Sequence, residues 1–180
     1  MSESAIRTEI KGILDGVTGI GIVHDYQRWA ANRGKFIDFF KDTGTGAIFG
    51  WEITRTGAKI DKVSRNYNVT HHFLLKGYYA VKDAAESEKL FNAVIESIVS
   101  TLVNATITGT QGTATPQVPL IERRPVNGIQ CHYGEIKLDV SEIIEPDAEA
   151  ADDLLKIGLE YYLQDPDDDG TADANDEITL

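Results

Sequence analysis

The sequence predicts an α+β domain: a mainly antiparallel sheet with helices packed on one face, and an acidic C-terminal extension. In residues 83–104, apolar side chains recur at helical spacing in two adjacent columns, a stripe wide enough to lie on a sheet. Residues 70–81 are rich in the aromatic and branched side chains that strands favour. Residues 131–140 alternate between apolar and polar and follow an Asn127–Gly128 turn. Strands joined by such short turns pair antiparallel.

The first part of the chain adds two short helices and two strands. Residues 4–15 place apolar side chains on one helical face, and glycines follow that end the helix. Residues 20–26 are a short strand candidate, and residues 35–41 predict a short helix. Residues 46–56 alternate between a markedly apolar face and a mixed one, which indicates a strand that Gly57 turns.

The later part of the chain mixes loops with further strands. Residues 59–67 are predicted as a second strand or an extended loop, and Ser87 or Asp83 is expected to cap helix 83–104. Residues 105–117 are rich in threonine, glycine and glutamine and have little apolar content, so we expect a poorly ordered loop that acts as a docking arm. Residues 118–122 resume as an edge strand, because Pro119 cannot donate to a ladder.

Charge divides the chain into two parts. From Glu142 to the C-terminus there are fourteen acidic residues and one basic residue, a balance of −13, whereas the first 141 residues sum to +1. We therefore predict a compact domain at residues 1–145 and an acidic C-terminal extension at residues 146–180. Plain solubility is the simplest function of such an extension. In the extension, residues 154–163 favour a final strand over a helix.

The composition excludes several classes of partner and compartment. No apolar run approaches the ~20 residues that cross a bilayer, and the polar N-terminus lacks the pattern of a signal peptide. Because Cys131 is the only cysteine, no intrachain disulfide can form, and a reducing cytoplasm is the expected folding compartment. The nearly neutral body and acidic tail argue against nucleic-acid binding, which needs clustered Lys and Arg. We predict no membrane partner and no specific nucleic-acid partner.

Residues that could carry catalysis are few. Cys131 and His132 are sequence neighbours, so on a strand they point to opposite faces and do not form a nucleophile–base pair. His71 and His72 are separated in the same way, although with His24 they could line a metal site. The chain has no phosphate-binding loop, nucleophile elbow or Cys-x-x-Cys motif. The expected class is therefore not an enzyme; a hydrolase that uses Cys131 or the histidines is a minor alternative.

A sharper motif lies in the acidic extension, where residues 165–176 have the spacing of a calcium loop. Oxygen ligands stand at loop positions 1, 3, 5, 7, 9 and 12, with glycine at position 6, and the six residues that would supply them are Asp165, Asp167, Asp169, Thr171, Asp173 and Asp176. Position 12 is Asp rather than the longer Glu, and no flanking helix pair is evident. A cofactor is not expected in the body, and Ca²⁺ is the one candidate for this loop; the alternative is an acidic extension with an ordinary Asp–Gly turn.

Residues 6–14 (IRTEIKGIL) and residues 17–28 (VTGIGIVHDYQR) place a short helix before a Gly-x-Gly strand that ends in Asp-Tyr. In these motifs the N-terminal region resembles the tail terminator or neck-type tail-assembly proteins of long-tailed bacteriophages. Residues 51–55 and 72–78 and the helix at 83–104 then occupy the places of the family's aromatic strand and long helix. The similarity covers roughly residues 5–141 and rests on element order and short motifs.

This resemblance implies a small subunit that assembles into a ring, often a hexamer, on the end of the tail tube. There the ring would stop growth of the tail tube protein and offer a surface to head-completion or neck proteins, which places the protein in the virion after assembly in the host cytoplasm. The family carries no catalytic residues. An alternative function is a small calcium-binding surface or adhesion module. In a ring, the acidic extensions would repel one another, so we expect them to lie outside the subunit interface.

Overall fold

The fold is an α+β domain built on one five-stranded, mostly antiparallel sheet. A computed structural model describes residues 3–44 and 46–145. Its helices and strands, in chain order, are α1 Glu3–Asp15, β1 Ile22–His24, α2 Arg33–Phe40, β2 Phe49–Val63, β3 Asn66–Ala80, α3 Ser87–Asn104, β4 Gln111–Val126 and β5 Ile129–Ile144. The predicted fold class is confirmed, and the predicted helices and strands at these places are present, although β2 to β5 are longer than expected.

The sheet consists of two long hairpins joined at the centre. Its strand order is β1-β2-β3-β5-β4, so β3 and β5 are the inner neighbours and pair antiparallel from Tyr67–Ile144 to Ala80–Cys131. Asn127 and Gly128 connect β4 to β5 with positive φ angles of 47° and 76°, which confirms the predicted turn. The short β1 lies at one edge and pairs parallel with β2.

Helices α1 and α3 cover one face of the sheet and form the larger core with it. The buried side chains that they contribute are Ile6, Ile10, Leu14, Phe91, Ile95, Ile98 and Leu102. The predicted stripe of α3 is narrower than expected, because Leu90 and Val103 are about half exposed. A single 3-10 turn at Asp83–Ala85 precedes α3, and Glu86 lies between them in the left-handed region. Neither Ser87 nor Asp83 caps the helix, so that prediction is wrong.

Two glycines make room for a ring stack under α3. Gly77 on β3 and Gly134 on β5 are cross-strand partners, and Trp51 on β2 pairs with Gly77. The Trp51 ring lies over Gly77 and stacks on Phe91 of α3 with 5.8 Å between ring centres and 15° between the planes. A Cβ atom on Gly134 would approach the Phe91 ring to 3.2 Å. The close approach of α3 to the sheet therefore depends on both positions having no side chain.

Helix α2 packs on the opposite face of the sheet. Phe36 and Phe40 are buried there against Tyr78, Tyr133 and Cys131, which form a second, smaller core. Asn32 caps the helix by accepting a hydrogen bond from the Lys35 backbone N–H. The two longer helices thus share one face, as predicted, and α2 alone lies on the other.

Residues 105–117 are not the poorly ordered arm that the composition predicts. Ile107 and Ala114 are buried in the larger core, and the Glu9 carboxylate accepts hydrogen bonds from the backbone N–H and side-chain hydroxyl of Thr108. From Gln111 the chain is part of β4. The prediction was wrong because two apolar anchors and the long neighbouring β5 suffice to order a segment of low hydrophobicity. The docking role assigned to this segment loses its basis.

Gly57 does not turn the chain after the second strand. It lies inside β2 at a bulge where Thr56 is the extra residue: Arg55 pairs with Phe73, and Gly57 pairs with His72. The turn comes seven residues later, where Ser64 adopts a φ of 60° between β2 and β3. The edge position of β4, with its predicted proline, is confirmed. The five-stranded unit ends at Ile144, and the predicted extension at residues 146–180 lies outside the described residues.

Candidate functional site

A buried carboxylate lies on the α2 side of the sheet. Glu52 projects from β2 and is only 2% exposed. Its two oxygens accept hydrogen bonds of 2.9 Å from the Tyr78 hydroxyl and from the Arg28 backbone N–H, and the Lys76 Nζ atom is 4.0 Å away. A buried carboxylate is tolerated only with such partners. Glu52 therefore fixes the loop after β1 to the centre of the sheet.

Tyr78 contacts this carboxylate, and the Tyr133 ring lies 5.5 Å from the Tyr78 ring between centres. Burial and the neighbouring Glu52 charge raise the pKa of Tyr78, so its hydroxyl stays protonated and donates at ordinary pH. Tyr133 donates to Glu135 at 2.5 Å, and burial also raises its pKa. The Arg124 guanidinium carbon lies 3.3 Å from the centre of the Tyr133 ring. These groups bind one another, and the arrangement is that of a fixed structural cluster.

Cys131 does not have the properties of a catalytic nucleophile. It is fully buried in the smaller core, and burial raises the pKa of its thiol to about 11. The thiolate is the reactive form of cysteine, and burial keeps Cys131 protonated at neutral pH. His132 points to the α3 side of the sheet, as the strand alternation predicts, so the two residues form no pair.

His132 instead meets Ser87, a contact that the sequence patterns did not predict. The Ser87 Oγ and His132 Nε2 atoms are 2.9 Å apart, both side chains are buried, and Ser87 Oγ also accepts a 2.8 Å bond from the Lys82 N–H. A serine hydroxyl can donate one bond and accept two, so the direction of the Ser87–His132 bond is set by the tautomer of the neutral imidazole. The pair lies beside a surface pocket of about 280 Å³ whose lining includes Arg123. Forty-five residues separate the two, so no local pattern signals the contact.

The burial of His132 should make the fold sensitive to mild acid. Burial lowers the pKa of His132; Arg123 lowers it further and Glu88 opposes both. Below the ordinary histidine pKa the unfolded chain binds a proton that the folded protein excludes, so the free energy of unfolding should fall as the pH drops from about 7 to about 5. One proton accounts for a slope of at most about 1.4 kcal/mol per pH unit. Urea unfolding at several pH values measures it.

His132→Gln is the matched control for this pH effect. Glutamine offers Ser87 an acceptor oxygen but does not titrate in this range. The difference in unfolding free energy between wild type and His132→Gln should therefore shrink or reverse toward pH 5. A difference that stays constant with pH would show that His132 does not carry the effect. His71 and His72 are present in both proteins and cancel in the comparison.

The remaining histidines do not come together as a metal site. His71 Nε2 lies 2.8 Å from Glu142 Oε1 on the helix side, and His72 Nδ1 lies 2.7 Å from Asp139 Oδ1 on the other face. His24 Nε2 lies 2.9 Å from the Phe39 carbonyl oxygen. Within residues 3–44 and 46–145, no group of three or more His, Cys, Asp or Glu side chains could hold a metal ion. The hypothesis of a shared histidine site is therefore wrong for these residues.

Glu142 has a low pKa despite its burial. Burial alone would raise the pKa of this carboxyl, but hydrogen bonds to the carboxylate, one of them with His71, lower it below the usual value. The contact joins the ends of β3 and β5 on the helix side of the sheet. Its role is therefore structural.

The predicted calcium loop lies outside the described residues, so its assignment stays a prediction. Its six predicted ligands are Asp165, Asp167, Asp169, Thr171, Asp173 and Asp176.

The Gly-x-Gly motif of the N-terminal region has a local structural cause. Gly19 and Gly21 have φ angles of 75° and 81°, which L side chains rarely adopt. A Cβ atom on Gly21 would lie 2.3 Å from the Phe49 carbonyl oxygen. Both glycines line a groove of about 500 Å³ that also borders the exposed side of α3 at Leu90 and Val94. The motif thus brings β1 close enough to pair with β2.

Several surfaces of the described residues expose large apolar side chains, and two of them are the end of the sheet and the loop between β1 and α2. The first is the apolar sheet end, formed by Ile60, Tyr67 and Ile144 on the helix-side face, where Tyr67 and Ile144 are direct cross-strand partners. These side chains are 64%, 38% and 42% exposed. The second surface is the loop between β1 and α2, where Trp29 is 83% exposed. Contiguous exposed apolar groups, such as those of the apolar sheet end, mark interaction sites.

No protein-family model matches the chain, and no curated protein matches it. Among the described helices, none combines the length and the apolar character needed to cross a membrane. Support for a function therefore comes from the residues themselves and from the resemblance of the N-terminal region.

Proposed function

We propose that this chain is a virion structural subunit that closes into a ring, often a hexamer, on the end of a bacteriophage tail tube. The ring ends polymerisation of the tail tube protein and joins the tail to head-completion or neck proteins. The observation that carries the proposal is the resemblance of residues 6–28 to tail terminator and neck-type proteins, together with the order of the elements that follow. No catalytic residue is part of this function.

The apolar sheet end supports an assembly role. Strands β2, β3 and β5 all run to this end, so Ile60, Tyr67 and Ile144 are held by paired backbone rather than by a loop. A rigid apolar surface loses little conformational entropy on docking, which favours a stable subunit contact. In a ring, this surface meets a different surface of the neighbouring copy, because head-to-tail contacts are the ones that close rings.

The proposed ring predicts a specific effect of charge at the apolar sheet end. Tyr67→Asp should reduce the ring to a monomer, since it places a carboxylate in an apolar contact beside Ile144. Light scattering after size exclusion, with and without tail tubes of a long-tailed phage, measures the oligomer. The matched control is Leu90→Asp, which charges an apolar side chain of 50% exposure on α3. A wild-type protein that stays monomeric and never joins tubes would contradict the proposal.

The acidic extension provides a second test of ring formation. Because residues 142–180 sum to −13, added salt or Ca²⁺ should favour the ring by screening the repulsion between copies. Deletion of residues 165–180 should, at low salt, favour the oligomer. If the truncated protein is only monomeric, the extension belongs to the interface instead.

Calcium binding by residues 165–176 is the alternative proposal, for a small surface or adhesion module. The regular spacing of oxygen ligands supports it. Calorimetry with Ca²⁺ separates the two functions: wild type should give a saturable binding heat and Asp169→Ala should not. Absence of heat in the wild type would remove this alternative.

A further inference from the structure

The turn between β4 and β5 holds the only Asn-Gly sequence of the chain. Asn127 and Gly128 are its two central residues, and both are exposed to solvent. They suit the turn because both accept a positive φ angle. Asparagine is also among the thermally labile residues, so this pair has a chemical reactivity in addition to its structural role.

The side-chain amide of Asn127 and the backbone N–H of Gly128 are the two groups that can react with each other. Among the described residues, none forms a hydrogen bond with either group. Pairing of β4 with β5 begins at Val126 and Ile129, so the peptide bond between Asn127 and Gly128 lies outside the ladder. A Cβ atom on Gly128 would find no heavy atom within 4 Å. The turn therefore leaves this peptide bond room to rotate.

The reaction between these groups is the conversion of asparagine through a succinimide. The Gly128 nitrogen attacks the side-chain carbonyl carbon of Asn127, and the new C–N bond closes a five-membered ring. The bond from that carbon to the side-chain nitrogen breaks, and ammonia leaves with the proton of the Gly128 N–H. Water then adds to one of the two ring carbonyls and opens the ring, which gives aspartate or isoaspartate. Ring closure is favoured here, because the attack is intramolecular and glycine has no side chain to obstruct it.

We propose that Asn127 is a modification site, at which the folded protein converts spontaneously to aspartate and isoaspartate with water as the only co-reactant. Aspartate adds one negative charge and retains the turn, because it also accepts a positive φ angle. Isoaspartate inserts a methylene group into the backbone, so a two-residue turn no longer joins Val126 to Ile129. These two side chains pack against the smaller core, and isoaspartate should therefore loosen this end of the hairpin. The proposal does not depend on ring assembly.

The test follows Asn127 in the full-length protein during storage at mildly alkaline pH, where the attacking nitrogen loses its proton more readily. Mass spectrometry of proteolytic peptides detects the change from amide to carboxyl, and chromatography separates aspartate from isoaspartate. Asn127 should convert roughly ten-fold faster or more than Asn92 and Asn104, each of which precedes an alanine whose Cβ atom obstructs the attack. Asn127→Gln is the matched control and should retain its amide, since its longer side chain has to close a larger ring.

A comparison of the native and the unfolded chain decides the outcome. If the native protein retains Asn127 while the same chain in urea converts it, the turn protects the residue and the inference is overturned. Conversion of Asn127 no faster than that of Asn104 would overturn it as well. The isoaspartate form should unfold at lower urea concentration than Asn127→Asp, which carries the charge without the extra methylene group. Equal unfolding midpoints would refute the loosening of the hairpin.

Discussion

Gly77→Ala should lower the free energy of unfolding by about 3 kcal/mol, the upper end of the range for overpacking a core. A Cβ atom at this position would lie 2.5 Å from Trp51 Cη2 and 2.6 Å from Cζ3. The indole cannot retreat, since Phe91 of α3 stacks on its other face. The new methyl group therefore forces either Trp51 off its rotamer or α3 away from the sheet. Urea unfolding monitored by circular dichroism measures the loss.

A glycine in the same hairpin provides the control for this substitution. A Cβ atom on Gly57 would find its nearest neighbour, His72 Cδ2, at 4.0 Å, so Gly57→Ala should change stability by less than about 1 kcal/mol. Trp51→Ala should be costly in the wild type, by about 3–5 kcal/mol, the range for truncating a large buried aromatic residue to alanine. In the Gly77→Ala background it should cost less, because it relieves the clash. Equal stability of Gly77→Ala and Gly57→Ala would refute the packing argument.

Glu52→Leu should also destabilise the protein, by roughly 2–4 kcal/mol. It leaves the Tyr78 hydroxyl and the Arg28 N–H buried without their acceptor, and each unmade bond costs about 1–3 kcal/mol. The loss should also free the loop that presents Trp29, so the anisotropy of its fluorescence should fall. Urea unfolding and fluorescence anisotropy together report on both effects.

Two variants test whether hydrogen bonding is the cause. Glu52→Gln keeps one acceptor oxygen of the same shape and should lose less stability than Glu52→Leu. Tyr78→Phe combined with Glu52→Leu should recover part of the loss, because it removes one of the two orphaned donors. If the double variant is no more stable than Glu52→Leu alone, packing rather than hydrogen bonding accounts for the effect.

Much of the fold could be predicted because local physics specifies it. The alternation of residues 131–140 placed Ile136, Leu138 and Val140 on one face, and the structure buries all three. The Asn127–Gly128 turn needs positive φ at both residues, and Asn and Gly are the residues that accept it most readily. The separation of Cys131 from His132 followed from the two-residue period of a strand.

The errors arise where distant residues decide the structure. Gly57 signals a turn by composition, yet pairing with β3 continues past it because a bulge absorbs the extra residue. Residues 105–117 lack a clear pattern, and their order comes from Ile107 in the core and from Glu9, ninety-nine residues before Thr108. The Ser87–His132 contact is of the same kind, since only the tertiary fold creates it.

The exposed apolar side chains could not be predicted from the sequence, for two different reasons. A tryptophan in a loop is usually assumed to fold inward, and no local pattern indicates that Trp29 is 83% exposed. The apolar sheet end could not be predicted because the full length of β2 and β3 is known only from their pairing.

The order of the strands also has a consequence for folding kinetics. Hairpins β2–β3 and β4–β5 each join neighbours in the chain, so their contacts have low contact order and can form early. The pairing of β3 with β5 must instead close a loop that contains α3 and β4. The conformational entropy of that loop is lost before the hydrogen bonds between β3 and β5 offset it. Docking of the two hairpins under α3 should therefore limit the folding rate, and substitutions at the β3–β5 seam should slow folding more than those at the hairpin tips.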